Sequence, residues 1–121
     1  MCGIVGYIGY ASVLDGERFI LMRDLLAHRG PDDAGFWQSP DRSVKLGNRR
    51  LAILDLSPAG HQPMVDEASG LVITHNGEIY NYVELRAELQ QRGHRFRSNS
   101  DTEVLLAAYK EWGPDCLRHL N

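Results

Sequence analysis

Apolar residues fall into short blocks whose spacing changes between strand and helix along the chain. Residues 2–8 form an apolar, β-branched stretch of strand length, which predicts a buried strand at the very N-terminus. Over residues 16–27 the period becomes helical, and Gly30 followed by Pro31 is typical of the end of a helix. The predicted inward face of this first helix carries Phe19, Met22, Leu25 and Leu26.

The middle of the chain predicts short strands joined by turns. The strand-like pieces are residues 35–38, 44–46, 51–54 and 71–75. A turn over residues 39–41 separates the first two pieces, and residues 55–63, which contain two prolines, predict a loop.

Two further helices are predicted in the last third of the chain. Asn81 is typical of an N-cap and opens a helix that ends at Gly93, with Val83, Leu85 and Leu89 as its apolar residues. Ser100 with Glu103 is a clearer capping box, opening a helix that ends at Gly113. Because strands and helices alternate with short loops, the class is α/β or α+β.

Composition narrows the class of protein. The chain has 121 residues, of which 43% are hydrophobic, and this suits one packed domain rather than two. Its 13 basic and 16 acidic residues give a net charge of -3, which argues against a nucleic-acid partner held by charge. No apolar run approaches the ~20 residues needed to cross a bilayer, and no signal peptide is seen. We therefore expect no membrane partner and a cytoplasmic location.

Cys2 is the first candidate for chemistry. Taken alone, it is most simply a small buried hydrophobic residue. If Met1 is removed, Cys2 carries both a thiol and a free α-amine, so a nucleophile and its base lie in one residue. We expect Gly3 to leave the strand end open to a substrate.

The pair Asn76-Gly77 is the second candidate. Its simplest interpretation is a hairpin turn, since Asn-Gly is the commonest pair in two-residue hairpin loops. The alternative is that the side-chain amide and a backbone N–H both point at a developing negative oxygen. Glu78 follows directly and is suited to hold an ammonium group.

Other charged residues have both structural and functional interpretations. Arg50, before the predicted strand 51–54, is either a surface cation or a two-pronged partner for a carboxylate. Asp101 is a helix cap, a ligand-binding carboxylate, or both. Asp32 and Asp33 are expected to face solvent. The five histidines lack metal-ligand spacing, and no Gly-rich phosphate loop is present, so we expect neither a metal site nor a nucleotide.

The candidates Cys2, Arg50, Asn76 and Asp101 lie within a series of five short motifs along the chain. The motifs are Met1-Cys2-Gly3-Ile4-Val5-Gly6, His28-Arg29-Gly30-Pro31-Asp32, Arg50-Leu51-Ala52-Ile53 with Asp55, Asn76-Gly77-Glu78-Ile79-Tyr80-Asn81 and Ser100-Asp101-Thr102-Glu103. Together they resemble the class II glutamine amidotransferase domain, in the branch found at the N-terminus of glutamine-hydrolysing asparagine synthetases. The resemblance covers essentially the whole chain, residues 1–121.

The resemblance implies an enzyme with an α+β fold. The implied fold is the N-terminal-nucleophile hydrolase sandwich, with two antiparallel sheets between helical layers, here apparently truncated. Cys2 would attack the side-chain amide of L-glutamine and form a thioester, while Asn76 and Gly77 stabilise the oxyanion. Arg50 would bind the α-carboxylate, and Glu78 and Asp101 would face the α-ammonium. Pocket-lining backbone would come from Leu51, Ala52, Ile53 and Leu54.

The resemblance also sets expectations for cofactors and partners. In relatives the hydrolase domain continues through further strands, and a synthetase domain with an ATP-binding loop follows. We therefore expect no cofactor in this chain, with ATP and Mg²⁺ belonging to the missing synthetase domain. Partners are L-glutamine and either a synthetase or a second copy of the chain. The sequence leaves the ammonia acceptor open, whether aspartate or another molecule.

Two other functions stay open at this point. The chain is alternatively a catalytically incompetent, truncated remnant that folds and then dimerises or binds a partner. A redox protein that uses Cys2 and Cys116 is a weaker alternative, because two cysteines at opposite ends give no disulfide framework.

Overall fold

A computed structural model of the chain describes residues 2–10 and 13–121. Its strands and helices are β1 (Gly3–Ile8), α1 (Gly16–Asp24), β2 (Asp33–Gln38), β3 (Val44–Arg50), a 3-10 turn (Pro58–Gly60), β4 (Met64–Asp66), β5 (Leu71–Ile73), α2 (Tyr82–Gln91), α3 (Asp101–Trp112) and a 3-10 segment (Gly113–His119). Antiparallel sheets and helices together confirm the α+β class, and the layered sandwich stays a prediction. Among the described residues, no helix has the length and apolar character that a membrane crossing requires.

The described residues form two compact units. The first comprises the chain up to Ile53 together with His61–Pro63 and Thr74–Gly77. The second comprises Leu54–Gly60, Met64–Ile73 and Glu78–Asn121.

The first unit is a three-stranded antiparallel sheet with helix α1 on one face. The strand order is β1-β3-β2, and the register pairs Gly3 with Arg49 and Asp33 with Arg50. Phe19 of α1 is fully buried, and its ring lies 5.5 Å from that of Phe36 on β2. The predicted strand at residues 2–8 is thus confirmed, beginning at Gly3. The prediction that it is buried was wrong, because alternate residues face outward, with Ile4 44% and Ile8 84% exposed.

The inward face of α1 differs from the predicted one. Met22 and Leu25 are exposed, at 43% and 77%, whereas Phe19 is buried and the Arg23 side chain is only 11% accessible. The helix also ends at Asp24, well before Gly30. Arg23 is charged, but its aliphatic stem packs beside Gly47, where no side chain competes for space.

The strands predicted at residues 44–46 and 51–54 are replaced by one longer strand, β3. Pairing with β1 and β2 extends through Arg50, and residues 51–54 form no strand. Strand pairing stops there because Asp32 binds the backbone groups that come next. The N–H of Asp32 donates to the Arg50 carbonyl, and its carboxylate accepts from Ala52 N–H at 2.9 Å. Asp32 is exposed, as predicted, and its carboxylate also binds the backbone that follows β3.

The predicted turn between β2 and β3 is confirmed, and it is held by one carboxylate. Asp41 accepts hydrogen bonds from the hydroxyls of Ser39 and Ser43, at 2.6 and 2.8 Å. These bonds stabilise the ionised form and lower the pKa of Asp41 to about 2. Arg42 completes the reversal with a φ of 62°, in the left-handed region.

The second unit has its core between α2 and α3, with the two-stranded sheet β4-β5. Leu85 and Leu89 of α2 and Val104 and Ala108 of α3 are buried, as their helical spacing predicts. Val83, the third apolar residue named for this helix, is 58% exposed, because it lies off the stripe shared by Leu85 and Leu89.

The N-cap predicted for α3 is confirmed, whereas the side-chain cap predicted for α2 is absent. Ser100 caps α3 as predicted, its hydroxyl accepting from the N–H of Thr102. Glu103 does not close the box back onto Ser100; its carboxylate accepts from the N–H groups of Arg97 and Ser98 instead. Asn81 makes no side-chain cap bond, because its amide binds the backbone of His119.

Replacing Leu89 by Ala will test this core. Leu89 is fully buried, so Leu89→Ala leaves a cavity and should lower the free energy of unfolding by about 2–5 kcal/mol. Val83→Ala, on the same helix but exposed, should change it by no more than about 0.5 kcal/mol. Chemical denaturation of both variants measures the difference, and equal losses would contradict the observed orientation of α2.

Candidate active site

The antiparallel register brings two predicted site residues to one end of the first sheet. Because β1 and β3 run in opposite directions, the start of β1 lies beside the end of β3. Gly3 pairs with Arg49, so Cys2, just before β1, and Arg50, the last residue of β3, lie at the same end. Residues separated by 48 positions therefore meet at one place, which sequence spacing alone does not indicate.

Cys2 is half-buried, and its sulfur contacts the backbone that follows β3. The N–H of Leu51 donates to Cys2 Sγ at 3.4 Å, and Sγ also lies 3.7 Å from the Leu51 carbonyl oxygen. The guanidinium Nε of Arg29 donates to the Cys2 carbonyl at 3.1 Å. Hydrogen bonds therefore hold Cys2 both at its sulfur and at its backbone carbonyl.

Gly3 has a different role from the predicted one. It is buried, and a Cβ built on it would lie 2.6 Å from the Cβ of Leu26. Glycine is required because the chain after α1 packs against the start of β1, rather than because a substrate must enter there.

Arg50 is nearly buried, with 8% of its surface exposed. It pairs in register with Asp33 on β2, so the two side chains lie on the same face of the sheet. Asp33 Oδ2 also lies 2.7 Å from His61 Nδ1, so this aspartate, predicted to face solvent, has a specific partner instead. A buried guanidinium at the end of a strand is suited to bind a carboxylate, and its burial favours the functional interpretation of Arg50 over the surface cation.

The predicted pocket-lining segment is divided between the units. Leu51, Ala52 and Ile53 belong to the first unit, and Leu54 belongs to the second. Ile53 is 61% exposed and Leu54 is 39% exposed. The segment is an irregular connection, held by Asp32 at Ala52 and bent at Ile53 and Leu54, rather than the strand that its apolar sequence predicted.

Asn76 and Gly77 do not form a hairpin turn. β5 ends at Ile73, and the next regular element is helix α2, which begins at Tyr82. Both residues are exposed and belong to the first unit, as do Cys2 and Arg50. The simplest interpretation of Asn-Gly is therefore wrong here, and the side-chain amide of Asn76 is accessible to a ligand.

Glu78 and Asp101 lie in the second unit. Glu78 is exposed, whereas Asp101 is 6% exposed and its Oδ2 accepts from the N–H of Ile79 at 3.1 Å. Ser100 rather than Asp101 caps α3, so the carboxylate of Asp101 is used to anchor the backbone that follows Glu78.

The two cysteines and the cavity are described by unit. Cys2 and Cys116 are both free thiols, which belong to different units. Burial, with a smaller contribution from Asp115, raises the pKa of the Cys116 thiol. The second unit also contains an open cavity of about 660 Å³, between the β4 region and residues 92–97, and none of the predicted site residues lines it. In residues 2–10 and 13–121, no three His, Cys, Asp or Glu side chains are grouped as a metal site.

Sequence reasoning missed several residues that hold the site together. Arg29 and Asp32 lie in the Arg-Gly-Pro-Asp motif, whose presence was noted without a role for either residue. Gln62 lies in the predicted loop 55–63 and in none of the quoted motifs, and its side chain accepts from the N–H of His75 at 2.6 Å. For Arg29 and Asp32 the motif was the available signal, but their hydrogen-bond partners lie too far away along the chain to be identified from spacing.

Comparison with known proteins places these observations in a family. The chain is 45% identical over 125 residues to a glutamine-hydrolyzing asparagine synthetase 3 of Bacillus subtilis, covering 100% of this chain and 20% of that protein. It is 41% identical to amidase chry2 of Gibberella zeae, covering 99% of this chain and 19% of the relative. A putative asparagine synthetase 2 of Methanocaldococcus jannaschii is 39% identical, with 100% and 26% covered.

The chain thus spans about a fifth of the length of the first of these curated relatives. A family model described as a glutamine amidotransferase domain matches residues 1–121, which is the full length given. The motifs quoted above lie within that match. The chain therefore belongs to the glutamine amidotransferase domain family.

Proposed function

We propose that this chain is a glutaminase module, which hydrolyses L-glutamine to glutamate and ammonia for a synthetase of the asparagine-synthetase type. The observation that carries the proposal is Cys2 just before β1, with its sulfur against Leu51 N–H, in a chain of the glutamine amidotransferase domain family. Two relatives named as glutamine-hydrolyzing asparagine synthetases support both the substrate and the synthetase.

The proposed reaction begins after removal of Met1. The free α-amine of Cys2 takes the thiol proton, and Sγ attacks the carbonyl carbon of the glutamine side-chain amide. The tetrahedral intermediate collapses as the carbon–nitrogen bond breaks, and the nitrogen leaves as ammonia with the proton returned by the amine. Water then adds to the thioester, the carbon–sulfur bond breaks, and glutamate and the free thiol are released.

Asn76 and Gly77 are the proposed donors to the oxyanion. The exposed amide of Asn76 and the N–H of Gly77 are both hydrogen-bond donors, and neither belongs to a strand ladder. Donors fixed before the reaction stabilise the charge that develops on the carbonyl oxygen, and this lowers the barrier more than it strengthens substrate binding.

Arg50 is the proposed partner of the α-carboxylate of glutamine. Its planar guanidinium offers two parallel N–H groups, and its burial strengthens the attraction between the charges. The roles of Glu78 and Asp101 at the α-ammonium, and of the backbone of residues 51–54 in lining the pocket, stay predictions.

The first test is the identity of the nucleophile. Intact mass should show that Met1 is removed, and Cys2→Ala should abolish the release of glutamate from glutamine, because no other residue supplies a thiol and an α-amine together. Cys116→Ala removes the buried cysteine instead and should hydrolyse glutamine at the rate of the unsubstituted chain.

A retained Met1, or glutamine hydrolysis by Cys2→Ala, would exclude the proposed mechanism. Absence of turnover in a correctly processed chain would favour the incompetent remnant. Glutamate release in a coupled assay, with the mass recorded on the same sample, separates these outcomes.

The oxyanion role is tested by Asn76→Ala. Loss of one donor should lower kcat by about 10²–10³ with a small change in KM, because the interaction forms in the transition state. Asn99→Ala, at an exposed asparagine of the second unit, is the control and should leave kcat unchanged. Equal rates for Asn76→Ala and the unsubstituted chain would assign the oxyanion to other donors.

The substrate-binding role is tested by Arg50→Lys. A lysine keeps the charge but loses the two-pronged geometry, so KM for glutamine should rise while kcat changes less. Arg18→Lys, at an exposed position on α1, is the matched control and should leave KM unaltered. A normal KM in Arg50→Lys would remove Arg50 from the substrate site.

A further inference from the structure

Two buried amide side chains lie together in the first unit. Asn48 on β3 is fully buried, and Gln62 is 5% exposed. Gly47, the neighbour of Asn48, faces Phe19 of α1, so Asn48 points to the opposite face of the sheet because side chains alternate along a strand. Arg50, two residues further along β3, lies on the same face as Asn48.

Gln62 reaches Asn48 because the segment His61–Pro63 lies directly on this face. A Cβ built on Gly35 of β2 would overlap the Gln62 carbonyl, so only glycine permits this approach. The contact between His61 and Asp33, at 2.7 Å, fixes the same segment beside β2. The segment is therefore held on the sheet at two consecutive residues.

Hydrogen bonds determine how both amides are oriented. The N–H of His75 can only donate, so the Gln62 atom 2.6 Å from it is the oxygen Oε1. Asn48 must then present its NH₂ group, which donates to Gln62 Oε1 at 3.2 Å and to Thr74 Oγ1 at 3.0 Å. Asn48 Oδ1 is left as a buried side-chain atom without a partner among the described residues.

Both bonds end on the residues directly before Asn76. Thr74 is bound by Asn48 and His75 is bound by Gln62, and Asn76 with Gly77 follows at once. Strand β3 thereby fixes the segment 74–77 as well as carrying Arg50. A buried, hydrogen-bonded amide pair is a stiff connection, because moving it would leave several polar groups unpaired.

We infer that Asn48 and Gln62 are positioning residues, which form a buried amide relay that holds Asn76 and Gly77 in place as oxyanion donors. The inference rests on the proposed function for its catalytic meaning, while the relay itself rests on the contacts of Thr74 and His75. Neither amide touches the substrate. They act by fixing the backbone from which the donors project.

The test replaces Gln62 by Met, which has a similar volume but no acceptor for His75 N–H. In the intact protein, Gln62→Met should lower kcat by about 10²-fold with little change in KM, the size of loss expected when a catalytic group is displaced by about 1 Å. Gln38→Met, at a half-buried glutamine on β2, is the matched control and should keep the normal kcat.

A double-mutant cycle shows whether Gln62 acts through Asn76. In an Asn76→Ala background, the factor by which Gln62→Met lowers kcat should be at least about tenfold smaller than in the unsubstituted protein. The reason is that the donor positioned by Gln62 is already absent. Fully additive losses would overturn the relay, since they would mean that Gln62 affects catalysis by another route.

Amide hydrogen exchange gives a readout that does not depend on activity. Gln62→Met should increase exchange in peptides covering residues 74–77 while leaving peptides of α3 unchanged, and unaltered exchange at 74–77 would overturn the relay. If Gln62→Met does not fold, Thr74→Val removes one bond of the relay and is judged by the same exchange criterion. Failure of the proposed function appears separately, as absence of turnover in the unsubstituted protein, and the exchange comparison still decides the relay.

Discussion

The antiparallel pairing of β1 with β3 is the constraint on which the candidate site depends. It brings the start of one strand beside the end of the other, and Cys2 and Arg50 occupy those two ends. A shift of one residue in this register would turn Arg50 to the helix-covered face of the sheet, because side chains alternate along a strand. The site is thus built on the most regular part of the first unit.

Polar groups at the margins of the sheet fix the segments that carry the remaining functional groups. Arg29 binds the Cys2 carbonyl, Asp32 binds Ala52 N–H, and Gln62 binds His75 N–H. Each is a bond from a side chain to the backbone of an irregular segment beside the sheet. Loops that carry catalytic groups need such support, because they have no ladder of their own to hold their geometry.

Family membership and geometry contribute different parts of the functional argument. The match across residues 1–121 places the chain among glutamine amidotransferase domains, and the chain spans about a fifth of the first curated relative. The geometry adds which of the motif residues are exposed and which are buried. Asn76 is exposed, for example, whereas Asp101 is buried and accepts a hydrogen bond from the N–H of Ile79.

The sequence by itself determined the α+β class, the N-terminal strand, the Ser100 cap and the identity of the candidate nucleophile. These depend on local period, local capping chemistry or ordered motifs, all of which can be read over a few neighbouring residues. The length of β3, the buried stem of Arg23 and the partners of Asp32, Asn48 and Gln62 were decided only by the tertiary structure. Their contacts join residues far apart in the chain, so they exist only once the strands have paired and the loops have packed onto the sheet.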